Sequence, residues 1–218
     1  MGAYGDWLLA TLLVSLRIGP TLMFAPPFTY LRIPTTIRFL LGFSLAAWIV
    51  SAHLDSVSSI SLDTATVISA AASELFLGIT LSLCLQLAFA ALLTAGRALD
   101  FQVGFGLALL ADPSMRTQMP LIGTLLVYGA GAVFFLTGGP ADLLVIWAAS
   151  VDVIPIGQLA YEIDIARLLQ LISASFVLAL GLVGLVIITL FLLDIVIAFL
   201  SRTLPQMNVL VLGFQVKA

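Results

Sequence analysis

The chain has 218 residues, 62% of them hydrophobic and 9% charged, with a mean hydropathy of +1.23 and a formal net charge of −3. A soluble domain carries about 25% charged residues, so this surface belongs in a membrane or an assembly, and the acidic balance argues against nucleic acid as a partner. The single Cys84 leaves no disulfide framework or thiol pair.

The start, Met1 to Asp6, lacks the basic region of a cleaved signal peptide, so the first apolar segment is expected to be retained. Asp6 also stands where a myristoylation motif needs Ser or Thr. Trp7–Phe24 is the first apolar segment, with Trp7 suited to a membrane interface, Arg17 inside it and Gly19-Pro20 weakening its end. Pro26-Pro27 and Ile33-Pro34 mark a stiff turn flanked by Arg32 and Arg38. The second segment, Thr36–Val50, is short for a bilayer core that needs about 20 residues. Ser51–Asp63 is a Ser-rich polar link containing His53 and Asp55.

Thr64–Leu99 is predicted to be a helix longer than the membrane is thick. Ala70, Glu74, Gly78, Ser82, Gln86, Ala90 and Thr94 recur along it every four residues. Four residues exceed one turn, so this stripe winds round the helix. Its small and polar members call for protein rather than lipid as neighbour.

Gly104–Pro120 is the one long interruption between apolar segments that is itself mostly apolar. Asp112-Pro113 bends it, because proline disfavours helix at the preceding residue, and Pro120 suits the first turn of the next helix. By pattern this is a connecting loop. Its Leu107, Leu109, Leu110, Met115 and Met119 nevertheless favour burial against protein.

Leu121–Leu136 is the fourth segment, broken by Gly138-Gly139-Pro140, and Ala141–Ser150 reads as the return arm of a broken hairpin. An acidic link, Val151–Asp164, follows, with Asp152, Glu162, Asp164 and the turn Pro155-Ile156-Gly157. Ile165–Leu200 is again longer than a membrane, with Gly181 and Gly184 as its expected bend point. The charge pattern predicts Arg32, Arg38, Arg97, Arg116, Arg202 and Lys217 inside and the acidic link outside.

No catalytic, cofactor-binding or metal site emerges. His53 is the only histidine and has no neighbours at ligand spacing. Gly104-Phe105-Gly106 lacks the rest of a dinucleotide fingerprint. Arg17, Glu74 and Asp194, by contrast, sit inside apolar runs, where ionisable groups are costly. Two roles stay open for them: ion or proton transport carried by Glu74 and Asp194, or structural pairing inside an assembly.

The last residues carry a pattern. Arg202-Thr203-Leu204-Pro205-Gln206-Met207-Asn208-Val209, followed by Gly213-Phe214 and Lys217, resembles the signature of the FliR family of flagellar export-gate proteins, whose injectisome relatives are the SctT proteins. Arg17 with Pro26 or Pro27, then Ile33-Pro34 and Arg38, is similar to that family's first hairpin, and Glu74 with Gly78 to its next motif. Gly96, Asp100 and Gly104, leading into Asp112-Pro113 and Pro120, are similar to its central loop. Gly213-Phe214 favours the flagellar branch.

The resemblance implies an all-α, membrane-associated chain of broken helical hairpins and long bent helices, packed in a helical hetero-oligomeric ring. It implies one FliR-like domain over 1–218: a first hairpin at 1–50, a long helix at 64–105, a plug-like loop at 106–120, a broken hairpin at 121–150, a long helix at 165–200 and a terminal motif at 201–218. Family members continue past the Lys217 position with further apolar helix, so those C-terminal helices are expected to be missing here.

FliP- and FliQ-like subunits, an FlhB-like export protein, membrane lipid and unfolded flagellar substrates in transit are the implied partners, in the bacterial inner membrane at the flagellar basal body. The implied role is a pore whose plug comprises Gly106, Leu107, Leu109, Leu110, Asp112, Pro113, Met115, Met119 and Pro120, hinged at Gly104 and Gly106. Hydrophobic constrictions of this kind gate by dewetting. Arg17, Glu74 and Asp194 would serve assembly, and Pro205, Gln206, Asn208, Gly213 and Lys217 form the family signature.

Overall fold

A computed structural model describes residues 3–53, 63–105, 120–157 and 165–203, together with Gly213 and Lys217. The described secondary structure is helical: α1 (Ala3–Phe24), a short 3-10 turn (Phe28–Tyr30), α2 (Thr35–Ala52), α3 (Thr64–Val103), α4 (Leu121–Leu136), α5 (Gly139–Val153) and α6 (Ile165–Thr203). Four of these, α1, α2, α3 and α6, are long and apolar enough to cross a membrane, and α4 with α5 adds a fifth if that bent pair counts as one span. The chain divides into two compact units, 1–87 with 131–167 and 88–130 with 168–218.

The first unit is built around α1. Ala10, Leu13, Val14, Ile18 and Leu22 recur at helical spacing and are buried against Ala46, Ile49 and Val50 of α2, Ala70 of α3, Trp147 and Val151 of α5, and Ile156. The Trp7 indole N–H donates to Ser51 Oγ at 3.3 Å, so the start of α1 lies beside the end of α2, the two running antiparallel.

Pro20 does not end α1, which continues to Phe24. Proline has no N–H to give the carbonyl four residues back, that of Leu16. The helix α3 packs closely against this turn. A Cβ added at Gly78 of α3 would lie 2.6 Å from both Leu16 O and Arg17 O, so those carbonyls rest directly on the glycine backbone. Four residues further along, Ser82 Oγ donates to Pro20 O at 3.2 Å. Backbone contacts this close between apolar helices need a residue without a side chain.

Along α3 the four-residue stripe is buried at Ala70, Glu74, Gly78 and Ser82, but Ala90 and Thr94 are exposed. In the second unit the buried line passes instead through Ala91, Ala95, Leu99 and Val103, packed with Ala179, Val183 and Leu190 of α6. A step of four residues overshoots each turn by about 40°, so one stripe cannot stay on one face over this length.

Gly138, at φ +85, ends α4 and N-caps α5, and the two helices meet at a bend of 71°. Phe134 and Phe135 stack edge-to-face on Phe28, with ring centroids 6.1 and 6.0 Å away, so the 3-10 turn packs against that bend. The helix α5 extends beyond the expected return arm at both ends, to Gly139 and Val153. α6 runs without a break through Gly181 and Gly184, whose Cβ positions are open.

Candidate functional site

Among the described residues, two charged clusters and one helix junction bring together the ionisable groups that the sequence placed inside apolar runs or beside the greasy loop. In the first unit, Arg17 of α1 and Glu74 of α3 form an ion pair that is 0% and 1% exposed. The guanidinium lies side-on to the carboxylate, Nε donating to Oε2 at 2.6 Å and Nη2 to Oε1 at 2.9 Å. Nη2 also donates to Ile154 O at 3.0 Å, and Nη1 donates to Ser150 O at 2.8 Å and Ser150 Oγ at 3.2 Å.

A guanidinium has five N–H groups, and here each has a partner. The carboxylate is completed by the Gly157 N–H, which donates to Oε1 at 3.0 Å. Gly157 holds φ +80, a conformation that suits glycine. The cation therefore sits at the C-terminal end of α5, where positive charge is favourable. The pair ties α1, α3 and the end of α5 together. Ser150, Ile154 and Gly157 carried no sequence signal for this role beyond the turn at Pro155-Ile156-Gly157.

In the second unit, Asp194 of α6 accepts from Gln102 Nε2 at 3.1 Å through Oδ2 and pairs through Oδ1 with Lys217 Nζ. Lys217 Nζ also donates to Gln102 O at 3.2 Å. The signature lysine thus meets the last turn of α3 and the aspartate inside the apolar run of α6. Gly213 lies near Ile197, whose side-chain atoms would be 3.8 and 3.9 Å from a Cβ there. Pro205, Gln206 and Asn208 lie outside the described residues.

The junction of α3 and α4 flanks the greasy loop. Gly104 adopts φ +101 and its N–H reaches Asp100 O and Phe101 O, both at 3.2 Å, closing α3 as a glycine cap does. Asp100 is buried, and its Oδ1 accepts the Ile122 N–H at 3.0 Å in the first turn of α4. A Cβ at Gly96 would lie 2.1 Å from Gly123 Cα, so the two helices touch backbone to backbone. Pro120 immediately precedes α4 and accepts from the Thr124 N–H at 2.8 Å. Gly106, Leu107, Leu109, Leu110, Asp112, Pro113, Met115 and Met119 lie outside the described residues.

His53 Nδ1 donates to Ile49 O at 2.8 Å, and its Nε2 lies 3.2 Å from Asp152 Oδ1, joining the ends of α2 and α5.

The family of bacterial export proteins, family 1, matches residues 8–218. The flagellar biosynthetic protein FliR of Bacillus subtilis (strain 168) is 30% identical over 222 aligned positions, covering 100% of this chain and 85% of that protein. FliR of Aquifex aeolicus (strain VF5) is 30% identical over 211 positions, 95% of this chain and 80% of that protein. The surface presentation of antigens protein SpaR of Shigella flexneri is 26% identical over 207 positions, 94% of this chain and 79% of that protein.

Proposed function

The chain belongs to family 1 of the bacterial export proteins, and on that premise we propose that it is the FliR-type subunit of the flagellar type III export gate. It sits in the bacterial inner membrane at the flagellar basal body and forms a pore for unfolded flagellar proteins with FliP- and FliQ-like subunits, next to an FlhB-like protein. The segment at about Gly106–Pro120 plugs that pore when it is closed, pivoting at Gly104 and Gly106. The work of the chain is gating, not bond chemistry.

One observation carries the assembly reading: the exposure of α6. Its apolar stretch Leu169–Thr203 is 35 residues long, and Phe176, Leu180, Leu185, Phe191, Ile195 and Phe199 face outward. That length is about 52 Å, and a 40° tilt leaves about 40 Å against a hydrocarbon core of about 30 Å. The hydrocarbon core does not cover all of it, which supports cover by other protein chains.

An injectisome-type gate subunit is the alternative supported by the similarity to SpaR, at 26% identity against 30% for the FliR proteins of Bacillus subtilis and Aquifex aeolicus. An ion- or proton-coupled transporter using Glu74 and Asp194 ranks lower, because each carboxylate faces a cation of its own chain.

The test is deletion of Leu107–Met119 in the assembled complex. The complex is expected to form and to leak ions. A deletion complex as tight as the parent would remove the plug from the mechanism, and a monomer with transport activity of its own would overturn the gate reading.

A further inference from the structure

Away from their terminal turns, the described helices carry four charged side chains: Arg17, Glu74, Arg97 and Asp194. Arg17 and Glu74 pair with each other, and Asp194 pairs with Lys217. Arg97 of α3 is the exception. It is exposed and makes no hydrogen bond or ion pair among the described residues.

The packing of α3 in the second unit leaves Arg97 on the outward side. Ala91, Ala95, Leu99 and Val103 are buried with residues of α6, and Gly96 touches Gly123 of α4. Arg97 lies on the opposite face with Ala90, Thr94, Ala98 and Phe101, all of them exposed. A guanidinium set against lipid tails is costly, and such groups pair with an opposite charge. Ala90, Thr94 and Ala98 are small, which lets a second helix approach closely enough for its side chains to reach Arg97. The planar guanidinium fork fits a carboxylate side-on, as Arg17 fits Glu74 within this chain.

We propose that Arg97 is an inter-subunit contact: its guanidinium pairs with an Asp or Glu carboxylate on a helix of a neighbouring subunit that lies along the outward face of α3. The proposal rests on the assembly reading above and names the chemistry of one contact in that assembly.

The test is carbodiimide coupling in the purified complex containing Arg97→Lys. A carbodiimide activates a carboxylate, and an amine touching that carboxylate displaces the activator to form an amide. The variant is expected to give a covalent product of this chain with one partner subunit, its bond mapped by peptide mass spectrometry to position 97 and to an Asp or Glu. The parent is expected to give no bond at that position. In parallel, Arg97→Gln removes the cation from a desolvated pair and is expected to weaken association by about thirtyfold or more, read from dissociation of the complex on dilution.

An intact Arg97→Lys complex with no bond at position 97 overturns the contact and leaves the assembly reading standing. So does an Arg97→Gln complex that associates as tightly as the parent. If phosphatidylglycerol in the surrounding bilayer stabilises the parent but not Arg97→Gln, and no amide forms, the occupant is a lipid phosphate and the carboxylate is overturned. A parent chain that purifies without any partner subunit overturns the assembly reading itself. Should Arg97→Lys not assemble, Thr94→Lys presents the amine about one turn earlier on the same face, and the absence of an amide from it counts against the contact.

Discussion

Gly96 of α3 and Gly123 of α4 meet backbone to backbone, so closely that a methyl group on the first would sit 2.1 Å from the Cα of the second. No side-chain rotation relieves such a contact. Gly96→Ala must push the helices apart, at a cost of about 3 kcal/mol. On α4 the exposed Gly129 has nothing within 4 Å of its Cβ position. Gly129→Ala should stabilise by about 0.5 kcal/mol through helix propensity alone. Thermal stability of the detergent-solubilised complex separates the two. Equal midpoints would mean that the helices do not touch at Gly96.

The Arg17–Glu74 pair is expected to govern assembly ahead of conductance. Removing one partner leaves an uncompensated buried charge, which costs about 3–5 kcal/mol. Glu74→Ala and Arg17→Ala should therefore reduce complex yield. Arg17→Lys should also reduce it, because a lysine cannot reproduce the side-on pair and the three further bonds to Ser150 and Ile154. The double change Arg17→Met with Glu74→Leu removes both charges and should recover part of the yield. Normal yield with lost transport in the single variants would instead favour an ion-carrying role.

Gly157 offers a graded test of the same cluster. Its Cβ position has room, with the nearest atom 3.4 Å away on Ala70, so Gly157→Ala is strained only by its φ of +80. That strain costs about 1–2 kcal/mol. Gly157→Pro should be markedly worse, since it demands a negative φ and deletes the N–H that Glu74 Oε1 accepts. Complex yield should fall in the order Gly, Ala, Pro. An alanine variant as impaired as the proline variant would show that the hydrogen bond contributes little.

Asp194→Asn distinguishes a tether from a carrier. The amide keeps an oxygen at the site that can still accept from Gln102, and only the charge of the pair with Lys217 is lost. Export of flagellar substrates should persist near the parent level, and Lys217→Ala should behave alike. Complete loss of export by Asp194→Asn in a fully assembled complex would point to proton transfer.

Helical class, membrane character and most element positions were legible in the sequence, because they depend on local composition and on breakers such as Gly138-Gly139-Pro140. The family was legible too, since Pro205-Gln206, Asn208, Gly213 and Lys217 keep their order in the chain. Arg17, Glu74 and Asp194 stood out for a simple physical reason: charge in an apolar run is expensive.

What the sequence could not supply is which groups meet. Arg17 is completed by the carbonyls of Ser150 and Ile154, which every residue possesses and no composition marks. Pro20 reads locally as a helix breaker, yet α1 continues to Phe24, and only the tertiary structure shows Gly78 and Ser82 packed against that turn. Asp100 looks like one more polar residue near a helix end until Gly96 and Gly123 bring α4 within reach of its carboxylate. Local chemistry determined the helices of this protein. The partners of its buried polar groups were decided only by packing, because a hydrogen bond joins atoms by distance in space and not by separation along the chain.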